Sequence, residues 1–141
     1  MITDNHKEIE NLFHAIGETF SRLDFDAWLA LFTTPRTIIS KGNIFSSAST
    51  EETRNKMMPV FDSLRQRGFT HTRLDKCHIK LLGDTNAMVS TVWTRLDSHG
   101  DVIETLGATY TLVLTDDAWK VAVVMSHRAD VMAIPDQGQD S

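Results

Sequence analysis

The sequence predicts an α+β domain: a cone-shaped, curved antiparallel sheet with N-terminal helices packed on its concave face. Three observations carry this. Segments of helical period come first and segments of alternating period follow, so helices and strands do not alternate as in βαβ units. The four later strand segments are consecutive and joined by short turn sequences. Gly107 sits inside the longest of them, where a glycine suggests a bend or bulge. A curved meander closed by helices leaves one open end, a common way to build a small-molecule pocket.

The first helix is expected from Asp4 to Leu23, with Ile9, Leu12, Phe13, Ile16 and Phe20 forming one apolar stripe and Asp4 or Asn5 as cap. A short second helix spans Asp26 to Thr34, and Pro35 is expected to stop it. Arg36 to Lys41 reads as a short strand broken by Gly42. The third helical region runs from Ser49 to Gly68: Ser49 and Glu52 have capping-box spacing, Pro59 is expected to kink or split the helix, and Gly68 suits the position after its end. From His71 the period is two. Cys77, Ile79 and Leu81 alternate with Lys76, His78 and Lys80. Strands then follow over Asn86–Leu96, Val102–Thr115 and Trp119–His127, separated by the turns around Gly83-Asp84, Asp97–Asp101 and Asp116-Asp117. Residues 1–128 form one domain, and 129–141 lose the pattern and are expected to be a flexible tail.

Length and composition bound the function. With 141 residues, 41% of them hydrophobic, the chain can bury a real core without metal or disulfide staples. Its net charge of −5 argues against a nucleic-acid partner. No apolar run approaches the roughly 20 residues that span a bilayer, and the polar start lacks the features of a secretory signal. A single cysteine, Cys77, fits a reducing cytoplasm. No spacing of zinc ligands, phosphate loop, dinucleotide fingerprint or nucleophile elbow occurs, so no cofactor is expected.

Three phrases carry a family resemblance: Leu23-Asp24-Phe25-Asp26-Ala27-Trp28-Leu29-Ala30-Leu31-Phe32, Leu64-Arg65-Gln66-Arg67-Gly68-Phe69 and Asp117-Ala118-Trp119-Lys120-Val121. In this order and spacing, over residues 5–128, the chain resembles the nuclear transport factor 2-like superfamily in its SnoaL-like branch. The resemblance implies a cone fold, frequent homodimers, and a pocket used by isomerases, dehydratases, cyclases and non-catalytic binders. The ketosteroid isomerases of that superfamily use a tyrosine on the first helix and an aspartate on the following strand. Ile16 stands at the first position, and Pro35-Arg36-Thr37-Ile38-Ile39-Ser40 holds no carboxylate, so that chemistry is not carried over.

Seven residues are candidates for the pocket. Trp28, Phe32, Phe61 and Trp93 can line it or simply fill the core. Arg95 can hold a carboxylate by a bidentate contact or stand exposed at a strand end. Tyr110, the one tyrosine, can orient a ligand oxygen or cap the core with its hydroxyl. His127 shares parity with Trp119, Val121, Val123 and Met125, which aims it at the concave side as an acid or base, or as a hydrogen-bonded strand-end histidine. Tyr110 and His127 are the catalytic candidates, expected to face one cavity. Asp24 and Asp26 flank a helix start, so capping is expected to account for at least one of them, and they are not expected to form a catalytic pair. His71 and His78 are an odd step apart, so they are expected on opposite faces. Apolar residues on both parities of Asn86–Leu96 predict a homodimer through the outer face, where Met88, Val92 and Leu96 would form a patch. Two functions remain open: a cytoplasmic domain that binds an apolar or amphipathic small molecule, and a cofactor-independent isomerase, dehydratase or cyclase.

Overall fold

A computed structural model describes residues 4–136. Helix α1 (Asn5–Ser21) starts where the Asp4 carboxylate accepts the Lys7 amide, and α2 (Phe25–Leu29) starts where Asp24 accepts the Ala27 amide. Strand β1 (Phe32–Ser40) and β2 (Asn43–Ser47) form a hairpin, followed by α3 (Thr50–Gln66). The meander β3 (Phe69–Leu81), β4 (Asn86–Asp97), β5 (Val102–Thr115) and β6 (Ala118–His127) completes the chain. All six strands belong to one curved, unclosed sheet in the order β2-β1-β6-β5-β4-β3. Its one parallel pairing is β1 with β6.

The expected α+β class and the four-strand meander stand, and α1 packs on the concave face as its stripe requires. Phe13 of α1 meets the Tyr110 ring of β5 edge-on at 4.8 Å. Gly17 allows the close approach of α1 to β4, because a Cβ there would lie 3.0 Å from the Trp93 ring.

Three local expectations are corrected. The second helix ends at Leu29, well before Pro35, because the chain is already drawn into the sheet: the Val121 amide donates to the Leu31 carbonyl, and Phe32 pairs with Val121. Pro35 occupies an irregular stretch between the Phe32 and Thr37 pairings, where its missing N–H breaks no ladder bond. Strand β2 was not expected from its polar sequence. It forms because Lys41 and Gly42 both take positive φ (53° and 80°), giving a two-residue turn that pairs Ser40 with Asn43. Pro59 does not split α3, which runs unbroken from its Ser49 cap to Gln66. The capping-box pair is relayed: Glu52 accepts from Ser47 Oγ, and that oxygen accepts the Ser49 amide.

Arg36 ties this hairpin to α3 from a buried position. Its guanidinium donates to the Thr33 and Ser49 carbonyls and to Thr53 Oγ1 at 2.6 Å.

The meander alternates faces except at four irregularities: at Thr70 and Asp75 in β3, near the start of β5 opposite Arg95–Leu96, and at Ala122 in β6. Each extra residue adds twist and moves the following side chains to the other face. Gly107 is not among them, since Val92 pairs with Gly107 in an unbroken ladder. It is glycine because of a neighbour. A Cβ at that position would lie 2.5 Å from His127 Nδ1 and 2.6 Å from the Arg128 carbonyl.

After β6 the chain crosses the convex face. Ile134 is 5% exposed, its carbonyl accepts from His78 Nδ1, and the Ala133 amide donates to Ser90 Oγ. Of the tail expected from residue 129, residues 137–141 lie outside the described residues.

Candidate functional site: the concave cavity

Helices α1, α2 and α3 stand off from the concave face far enough to leave a cavity of about 700 Å³. Its walls follow from the alternation of the strands that build it. From the helices come Ile16, Gly17 and Phe20 of α1, Trp28 of α2, and Met57 and Val60 of α3. The sheet contributes Ile38 and Ile39 of β1, Trp93 and Arg95 of β4, Leu106, Ala108 and Tyr110 of β5, and Val124 of β6. Most of this surface is apolar. Ser40, Lys41, Lys56, Ser126 and Arg128 also line it, and among the sheet's inward side chains two polar groupings stand out.

The first is the pair Trp93–Tyr110. The indole N–H donates to the Tyr110 hydroxyl at 3.0 Å. Burial pushes the Tyr110 phenol up to about 12, although the bonds with Trp93 and Thr91 and the nearby Arg95 charge pull the other way. The phenol is therefore neutral at physiological pH and held in place by its neighbours.

The second is Arg95. Its guanidinium lies over the Phe20 ring, 4.7 Å from the centroid, and donates through Nη1 to Glu104 at 2.5 Å. Its side chain is only 16% exposed. Burial lowers its pKa, and the Glu104 carboxylate opposes that shift. The alternative reading of Arg95 as an exposed strand-end residue is thus corrected: the pairing of Arg95 with Glu104 keeps the strand end inside the cone.

Of the seven candidates, five meet around this cavity: Trp28, Phe32, Trp93, Arg95 and Tyr110. Phe61 does not reach it. It is fully buried behind the wall, edge-on to Phe20 at 5.2 Å and Trp28 at 6.0 Å. His127 borders the opening, but its ring is on the convex face. It pairs with Gly107, and its Nε2 lies 2.7 Å from Thr109 Oγ1. The bulge at Ala122 is the reason. Trp119 and Val121 face inward beside Leu114 and Leu112, but beyond the bulge it is Val124 and Ser126 that do so. Tyr110 and His127 consequently point to opposite faces, and a joint catalytic pair is ruled out.

The same effect corrects the two histidines of β3. The bulge at Asp75 places His71 and His78 on one face, paired with Leu96 and Ser90. Six residues of strand β4 separate those partners, roughly 20 Å, so the two rings cannot share an ion. Among the described residues no group of three or more His, Cys, Asp or Glu gathers as a metal site. Cys77 packs against the core as expected, and burial pushes its thiol up to about 12. Asp24 caps α2, while Asp26 pairs with Arg54 at 2.7 Å.

Sequence reasoning missed Ile16, Phe20, Met57, Val60, Glu104 and Leu106 as wall residues. The helical ones were legible as an apolar stripe, but a stripe does not say which members meet core and which meet empty space.

With this geometry the comparisons can be set out. The model of the family described as NTF2-like protein (DUF6841) matches residues 7–129. No curated protein sequence matches the chain. An NTF-2 like protein of unknown function from Shewanella oneidensis superposes with a TM-score of 0.71 at 22% identity, covering 86% of this chain and 97% of that one. A protein of unknown function with a cystatin-like fold from Nostoc punctiforme gives 0.73 at 14% identity, covering 96% and 97%. A protein provisionally assigned as a ketosteroid isomerase, from Shewanella frigidimarina, gives 0.66 at 16% identity over 83% and 92%. At such identities the likeness fixes the fold and nothing finer.

Proposed function

The chain belongs to the NTF2-like protein family, and from that premise we propose that it binds a small apolar or amphipathic molecule in the concave cavity. The observation that supports this reading best is the cavity's make-up. It has about 700 Å³ of space, walls of Phe, Trp, Ile, Leu and Val, and polar groups confined to a few fixed points. Small-molecule sites are built this way, apolar for affinity with sparse polar groups for orientation. Trp28 and Trp93 lie in the wall, so a bound ligand changes their fluorescence. Native mass spectrometry of the purified protein should show a co-purified small molecule, or titration with apolar probes should quench the tryptophan signal saturably. Failure of both would remove the proposal.

The enzymatic alternative, a cofactor-independent isomerase, dehydratase or cyclase, is favoured by neighbours provisionally assigned as a ketosteroid isomerase and as a dehydratase. The wall offers it little. Ile16, Ile38 and Ile39 meet the cavity where an acid and a base would be wanted, and the Tyr110 hydroxyl already accepts from Trp93. Among the described lining residues Glu104 is the single carboxylate, and Arg95 holds it.

A further inference from the structure

We propose that the molecule this cavity takes is an apolar monoanion, with its carboxylate received by Arg95. This rests on the ligand-binding reading above and names the ligand class for the same site.

The charge distribution is the first support. The whole chain carries −5, yet the cavity lining holds Lys41, Lys56, Arg95 and Arg128 against Glu104 alone. Arg128 is neutralised by Asp130 at 2.9 Å. Lys41 and Lys56 form no ion pair among the described residues, and the Lys56 ammonium stands 5.8 Å from the Phe45 ring centroid. An acidic protein thus presents a basic lining at this cavity, which attracts anions.

Arg95 supplies the second. Its Nη1 is used by Glu104, its Nε is buried without an acceptor, and Nη2 meets no acceptor among the described residues. A guanidinium has five N–H donors in a planar fork suited to carboxylates, and here most of them are unused. Glu104 does not cancel the site, because its other oxygen lies 3.9 Å from Arg67 Nη1. Two guanidinium groups therefore share one carboxylate, leaving one positive charge. That local sum leaves Arg95 able to receive one carboxylate at this end of the cavity. The rest of the wall, Phe20, Trp93 and Leu106, suits an apolar body beside that acid group.

The experiment compares decanoate, decanol and decylammonium by tryptophan fluorescence, below their aggregation concentrations and at low ionic strength. Decanoate is expected to bind at least tenfold more tightly than decanol, and decylammonium more weakly than either. The double variant R95Q/E104Q removes both charges and leaves no orphan carboxylate. It should bring the ratio of decanoate to decanol affinity to about one. Equal binding of decanoate and decanol to the native protein overturns the inference and leaves the pocket reading standing. A tenfold preference that persists in the double variant overturns the role of Arg95. Absence of binding by all three probes sinks both readings. The native comparison decides the ligand class even if the double variant does not fold.

Discussion

The two faces of the same sheet solve opposite problems. On the concave face large side chains of β4 and β5 (Trp93, Leu106, Tyr110) border a space that stays open, while Trp93 and Tyr110 also pack against α1. On the convex face small hydroxyl residues are sealed. Ser90, Thr94 and Thr109 are all under 5% exposed. Thr94 donates to Asp75, and the hydroxyls of Ser90 and Thr109 form a directed chain. The Ala133 amide donates to Ser90 Oγ, and Ser90 Oγ lies 3.0 Å from Thr109 Oγ1, which in turn lies 2.7 Å from His127 Nε2. His127 Nδ1 must donate to the Arg128 carbonyl at 2.9 Å, so a neutral ring accepts at Nε2 and every member is satisfied. One face leaves volume open beneath the helices, and the other is covered by the chain itself. This bears on the homodimer expected from an outer apolar patch. Val92 is already 6% exposed within one chain, and segment 129–136 occupies part of that face.

Adjacent residues 107 and 108 give the sharpest test, since they face opposite sides. Gly107→Val should cost about 3 kcal/mol or more, because its Cβ would meet the His127 ring and the Arg128 carbonyl at 2.5–2.6 Å. Ala108→Leu should fill cavity space, reduce probe binding at least tenfold and change stability by less than ~1.5 kcal/mol. Denaturant titration of both variants breaks the comparison if Gly107→Val is tolerated, or if Ala108→Leu leaves binding intact.

The buried phenol of the concave face gives the next effect. Tyr110 is the one tyrosine, so ultraviolet titration of phenolate reads it alone. Its midpoint should fall near 12 rather than at its ordinary value of 10. Because the folded state holds this proton more tightly, its contribution is full below pH 10 and is lost as pH rises towards 12. Linkage makes that up to about 3 kcal/mol. A midpoint near 10 with the fold intact would show the hydroxyl open to water.

Removing the convex cover should have a smaller result. A chain ending at Arg128 loses Ile134 and the donor to Ser90, which should cost about 2 kcal/mol. Sedimentation should then show stronger self-association than in the full chain, as the uncovered face pairs with a second copy. Equal association of the two chains would place any dimer contact elsewhere. Smallest is Thr109→Val, which deprives His127 Nε2 of its donor and should cost about 1 kcal/mol by thermal unfolding. Decanol binding should be unchanged, since Thr109 faces away from the cavity.

The pattern of agreement and error has a physical cause. Caps at Asp4, Asp24 and Ser49 and the turn at Gly68 were legible because a cap is a local exchange between a side chain and amides two or three residues on. Trp93, Arg95 and Tyr110 share one face because no irregularity separates Val89, Trp93 and Arg95 within β4, and Val89 pairs directly with Tyr110. His127, His71 and His78 were misplaced by the bulges at Ala122 and Asp75. Neither position is a glycine, and the glycine that drew attention, Gly107, lies in a regular ladder.

By itself, then, the sequence determined what depends on near neighbours: the helices and their caps, the alternating strands of the meander, the α+β class, and an apolar stripe facing the sheet. Tertiary structure alone decided which face each residue takes after a bulge, that β1 joins β6 in parallel, and that the helices stop short of filling the cone. A bulge is stabilised by partners on other strands and an empty volume by the mutual reach of several elements, so neither is encoded in the spacing along a single segment.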